Sequence, residues 1–145
     1  MKNKYALGAL CLAIGLLTLN GIAFAHGAEK HGKSTDAGEQ MKKLHNMMPM
    51  FSLASANLET ALEKGEVATV EAEAEKIVSA IPDLKKSQPH KNVKQRKKFV
   101  EFAAKLEETV ATSAIQARNG DFTGAKASFK KTEEICAACH AKFRD

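Results

Sequence analysis

The sequence predicts an all-α protein, an antiparallel up-down-up-down four-helix bundle. Three observations predict it. Apolar residues recur at alternating spacings of three and four through four separate stretches. The same helix-Gly-acid-apolar junction occurs twice, as Lys64-Gly65-Glu66-Val67 and Asn119-Gly120-Asp121-Phe122, 55 residues apart. No stretch reads convincingly as a strand. Two tight junctions and one longer, proline-containing connection give two αα-hairpins in series, which stack antiparallel.

The first helix covers 40–64, with Met41, Leu44, Met48, Phe51, Ser55, Leu58 and Leu62 on its inner stripe. Pro49 interrupts it, because the ring would clash with the carbonyl of His45 in a straight helix. Two arrangements satisfy this: a helix that begins near Pro49, or one that begins earlier and kinks there. Gly65 then serves as a left-handed C-cap. The second helix covers 67–81, with Val67, Val70, Ala74, Ile77 and Ile81 inward and Pro82 as its stop. Residues 82–91 hold two prolines and several charges and form the long connection. The third helix, 92–119, turns Phe99, Ala103, Leu106, Val110, Ser113 and Ala117 inward. The fourth, 122–143, does so with Phe122, Ala125, Phe129, Thr132, Cys136, Cys139 and Phe143.

What precedes the helices reads as an address. Lys2 and Lys4 make a basic start, residues 6–19 are apolar and uncharged, and Ala23-Phe24-Ala25 has the A-x-A form of a cleavage site. Residues 1–25 are thus expected to be a cleaved signal peptide, residues 26–38 a flexible leader, and residues 39–145 the folded domain. The apolar run is short for a membrane span, so no membrane insertion is expected after cleavage. Leu10 before Cys11, where a small residue would be needed, argues against a lipid anchor. His26 and His31 read as solvated leader residues. Cleavage lowers the formal net charge from +5 to +3, too little to imply nucleic acid as a partner. It also removes Cys11, one of three cysteines, and leaves Cys136 and Cys139.

Those two cysteines stand in Cys136-Ala137-Ala138-Cys139-His140, the C-x-x-C-H attachment signature of a c-type haem. Two thiols that add across the two haem vinyl groups must lie about one helical turn apart on one face. The histidine that follows brings an imidazole to the iron as proximal ligand. A zinc ribbon needs a second Cys pair, which is missing. A thioredoxin-type redox pair follows a strand in an α/β pattern. An exported chain whose remaining cysteines both belong to C-x-x-C-H fits covalent haem attachment outside the cytoplasm, with a bacterial periplasm as the natural compartment. One haem c, bound covalently within the four-helix bundle, is therefore expected.

With four helices, a leader for export, and C-x-x-C-H followed by Ala141-Lys142-Phe143-Arg144 at the end, the chain resembles the class II c-type cytochromes. This is the cytochrome c-prime superfamily, including its low-spin methionine-ligated branch. The resemblance covers the helix layout, and its sharp residues are Cys136, Cys139, His140, Phe143 and Arg144. It implies a haem between the first and fourth helices, His140 proximal, and the first helix over the distal face. In the methionine-ligated branch a first-helix methionine completes six-coordination and suits electron transfer. In cytochrome c-prime proper an apolar side chain blocks that face, and the five-coordinate iron binds nitric oxide or carbon monoxide.

Met48, on the inner stripe, is the leading distal candidate here. Met41, Met47, Met50 and His45 are alternatives, as is an iron with no distal protein ligand and methionines that only fill the core. Arg144 is a candidate for contact with a haem propionate or the proximal histidine, or simply a cation at a helix end. The expected function is periplasmic electron carriage between redox partner proteins, with gas binding as the alternative. No enzyme activity is expected, since a peroxidase needs a distal acid–base pair and the first-helix stripe offers none. The five cations of residues 91–98 form either a solvated helix face or a dock for an acidic redox partner. His90 reads as solvent-exposed. A homodimer through the first two helices is a further expectation from the resemblance.

Overall fold

The computed structural model describes residues 34–144. The expected signal peptide, Cys11, His26 and His31 lie outside them. Four helices follow in order: α1 (Ser34–Lys64), α2 (Val67–Lys86), α3 (Arg96–Arg118) and α4 (Phe122–Phe143), with a 3-10 turn (Val93–Gln95) before α3. Among the described residues there is no strand. The architecture is the all-α four-helix bundle that the periodicity predicts.

Both glycine junctions are tight turns, with Gly65 at φ +72° and Gly120 at φ +80°, the left-handed region where a Cβ is unfavourable. Asp121 caps α4 by accepting a hydrogen bond from the Gly124 amide at 2.8 Å. The Phe122 ring lies against Gly65, which joins the two turns at one end of the bundle. Antiparallel connectivity then brings three things to the other end: the first half of α1, the α2–α3 connection and the C-terminus of α4.

Pro82 is not the expected stop, and of the two arrangements open to Pro49 the helix with the earlier start is the one observed. α2 does not stop at Ile81 but runs through Pro82 to Lys86, and α1 runs through Pro49 from a start at Ser34. Both rings are exposed, so the carbonyl deprived of its amide partner is on the wet side of its helix. Burial on either side of Pro82, at Ile81 and Leu84, carries α2 onward. The α1 start makes residues 34–38 helical, where a leader was expected. The third helix begins later than expected, because Asn92 is left-handed at φ 55° and residues 93–95 wind as a 3-10 turn.

Leu58, Leu62, Val70, Ile77, Ile81 and Val110 are the innermost large apolar residues. Each such side chain removed from water contributes about 1.5–3 kcal/mol before entropy is counted. Polar links also join α3 to α4, among them Ser128 Oγ, which donates to Gln116 Oε1 at 2.7 Å. Ser113 Oγ donates to the Ala125 carbonyl at 2.9 Å, and Thr132 Oγ1 donates to Thr109 Oγ1 at 2.9 Å. The expected stripes of α2, α3 and α4 face inward. On α1 the stripe is shifted: Met47 and Ala54 are buried where Met48 and Ser55 were expected, and the latter two are half-buried.

Candidate haem site

α1 and α4 touch along only a short length, unlike the other neighbouring pairs. Between them opens a cavity of ≈ 420 Å³. Cys136, Cys139 and His140 line it from α4, and Met48 lines it from α1. Phe51, Phe99, Phe102, Phe129 and Phe143 supply most of its aromatic wall. The motif reaches the cavity because α4 stays helical to Phe143. At 3.6 residues per turn, Cys136, Cys139 and His140 then fall on one face of the helix.

Of the first-helix candidates, Met48 is the one in this lining. Met41, Met47, Met50 and His45 are not among the lining residues. Met47 points into the packed core. His45 is exposed, and its ring pairs instead with His90, Nε2 to Nε2 at 3.2 Å. His90 departs from expectation: it is half-buried and lines the cavity. Its local sequence, a loop between charged residues, gives no hint of this. The available signal was topological, since the α2–α3 connection of an antiparallel bundle must lie at the same end as the α4 C-terminus.

That connection is fastened to α4 just past the motif. The Lys91 amide donates to the Phe143 carbonyl at 3.1 Å, and Asn92 Nδ2 donates to the Lys142 carbonyl at 2.7 Å. These bonds satisfy carbonyls that the end of a helix leaves open. Arg96 adds hydrogen bonds to the carbonyls of Ser87 and Lys85, which tie the connection to α2. Arg144 also lines the cavity, and its amide donates to the His140 carbonyl at 3.0 Å.

The surroundings of all three motif groups favour the uncharged form, although His140 itself is largely exposed. Burial pushes the Cys136 thiol up, and the Glu133 carboxylate one turn earlier adds to the shift. Burial, then Cys136, pushes the Cys139 thiol up to about 11. For His140 burial disfavours the charged ring, and the Arg144 guanidinium does so further. A thioredoxin-type pair needs the opposite, a cysteine whose pKa is lowered to make a nucleophilic thiolate. A neutral imidazole, by contrast, has the lone pair a metal requires.

The donor set fits a covalently held haem. Two thiols a turn apart, an adjacent neutral imidazole, a thioether across the cavity and aromatic walls match the needs of an apolar macrocycle with an iron at its centre. A comparison with curated proteins and another with solved structures found no match. Residues 83–144 match the family model described as Cytochrome C'. That stretch holds the α2–α3 connection, all of α3 and α4, and the whole C-x-x-C-H motif. Together with the four-helix fold, the match is consistent with a class II c-type cytochrome of the cytochrome c-prime type.

Proposed function

We propose that the protein is a periplasmic monohaem electron carrier. Cys136 and Cys139 would hold one haem c through thioethers, with His140 as the proximal ligand of the iron and Met48 as the distal one. When bound, the haem supplies a one-electron Fe(III)/Fe(II) couple. The chain does the rest. α4 presents the two sulfurs and the imidazole from one rigid face, and the Phe143 and Lys142 carbonyls are tied down just beyond them. The phenylalanine walls keep water from the cofactor, which favours the less charged ferrous form, and a thioether ligand favours it too.

The observation that carries this reading is Met48 in the cavity lining together with His140, with the other α1 methionines outside that lining. The second reading, reversible binding of nitric oxide or carbon monoxide at an open iron, has support from Leu44 and Phe51, apolar residues of the same α1 wall. Visible spectra of the reduced protein with and without carbon monoxide separate the two. Electron carriage predicts a sharp low-spin α-band that carbon monoxide leaves unchanged. Met48→Ala should then become high-spin and bind carbon monoxide. A wild-type protein that is already high-spin and takes up carbon monoxide sinks the carrier reading in favour of gas binding.

A further inference from the structure

The His45–His90 pair is left unused by haem attachment. The two rings come from elements far apart in sequence, α1 and the α2–α3 connection. Their Nε2 atoms are 3.2 Å apart and their centroids 5.0 Å apart, with 21° between the ring planes. Rings meeting head-on through a linear N–H···N bond would hold their centroids further apart than this. A bent N–H···N bond fits both separations, and so do rings whose Nε2 atoms aim at one common point. With each nitrogen about 1.1 Å from its ring centre, that point lies about 2 Å from each Nε2, the length of a zinc–imidazole bond.

We infer that His45 and His90 form a second metal site, separate from the haem iron, for an imidazole-preferring divalent ion such as zinc or copper. Two imidazoles at the separation of adjacent ligands are half of a four-coordinate site. Among the described residues no third His, Cys, Asp or Glu groups with them. A two-histidine site of this kind binds reversibly rather than structurally, and by ligand type copper(II) is held more tightly than zinc.

The position of the pair gives the ion a role. His90 lines the haem cavity, and Lys91 and Asn92 next to it bond to the end of α4. His45 is on α1, three residues before Met48. An ion between the imidazoles would therefore clamp α1 to the connection across the mouth of the cavity, joining the helix that carries Met48 to the segment fastened beyond His140. This inference rests on the His pair alone and survives if the iron has no distal protein ligand.

Zinc is the probe, because it has no visible absorption and leaves the haem spectrum readable. The test uses the haem-loaded protein carrying His26→Ala and His31→Ala, which removes the leader imidazoles. Competition with a chromophoric zinc chelator should show one zinc bound per chain with micromolar affinity. Adding either His45→Ala or His90→Ala should weaken that binding at least tenfold. Thermal unfolding is the second readout: zinc should raise the midpoint of the parent, and should not raise that of His45→Ala, whose exposed ring is dispensable for folding. Zinc binding that is absent from the parent, or equal in parent and both variants, overturns the site.

Discussion

Burial acts on the two thiols of the motif and on its imidazole in one sense, favouring the uncharged form of each. The thiols can therefore be followed by pH. In a chain without haem, Cys139 goes from its ordinary value of 9.0 to about 11 on folding. A group whose folded pKa is raised contributes stability that is intact below the unfolded value and lost as pH rises through the folded one. The urea midpoint of the haem-free chain should thus fall between about pH 9 and pH 11. The haem-loaded protein, with both sulfurs alkylated as thioethers, should lack that fall, as should haem-free Cys136→Ser/Cys139→Ser. An identical fall in all three would mean that the thiols are not its source. The motif itself was legible because five contiguous residues carry its chemistry. His90 was not, because the fold alone brings its ring to the cavity and to His45, 45 residues away.

Helix interiors were legible from the same cause throughout: a 3.6-residue period marks which side chains can share one core. Phe99, Ala103, Leu106, Val110, Ser113 and Ala117 of α3 are all buried, as their spacing required. Boundaries near proline were not legible, because a missing amide is a local penalty that burial on both sides can outweigh. Pro49 and Pro82 each retain that penalty on an exposed face. An interior proline costs about 3 kcal/mol relative to alanine, so Pro49→Ala and Pro82→Ala should each stabilise the protein by about 1–2 kcal/mol, since hydration already relieves part of it. The two should part company spectroscopically. Pro49 adjoins Met48, so restoring the missing backbone amide there should shift the reduction potential or admit carbon monoxide to the iron. Pro82→Ala, on a helix that supplies no candidate ligand, should leave the spectrum and potential as they were. Equal spectral effects from the two would remove the case for α1 setting the iron's distal ligand.

The bundle has a tight end and an open one. At the tight end two glycine turns meet over Phe122, and Ser113 links α3 to α4 from within. At the open end α1 and α4 stand apart around the ≈ 420 Å³ cavity. Without haem the apolar walls of this open cavity face water and lose the contacts the macrocycle would supply. The chain without haem should therefore loosen where the cavity is, not everywhere. α3 packs closely on α4, and α2 packs on both α3 and α1. The stretch of α1 that faces the cavity, from Leu44 to Ser55, gives up the haem on one side and has little of α4 to replace it. Amide exchange on haem-free Cys136→Ser/Cys139→Ser should show residues 44–55 exchanging far faster than in the haem-loaded protein. The amides around Val110, Ala114 and Ala125, buried away from the cavity, should keep most of their protection, apart from the general loss of stability. Uniform loss of protection across all four helices would mean instead that the haem is part of one indivisible core. α1 would then be no more dependent on it than α3.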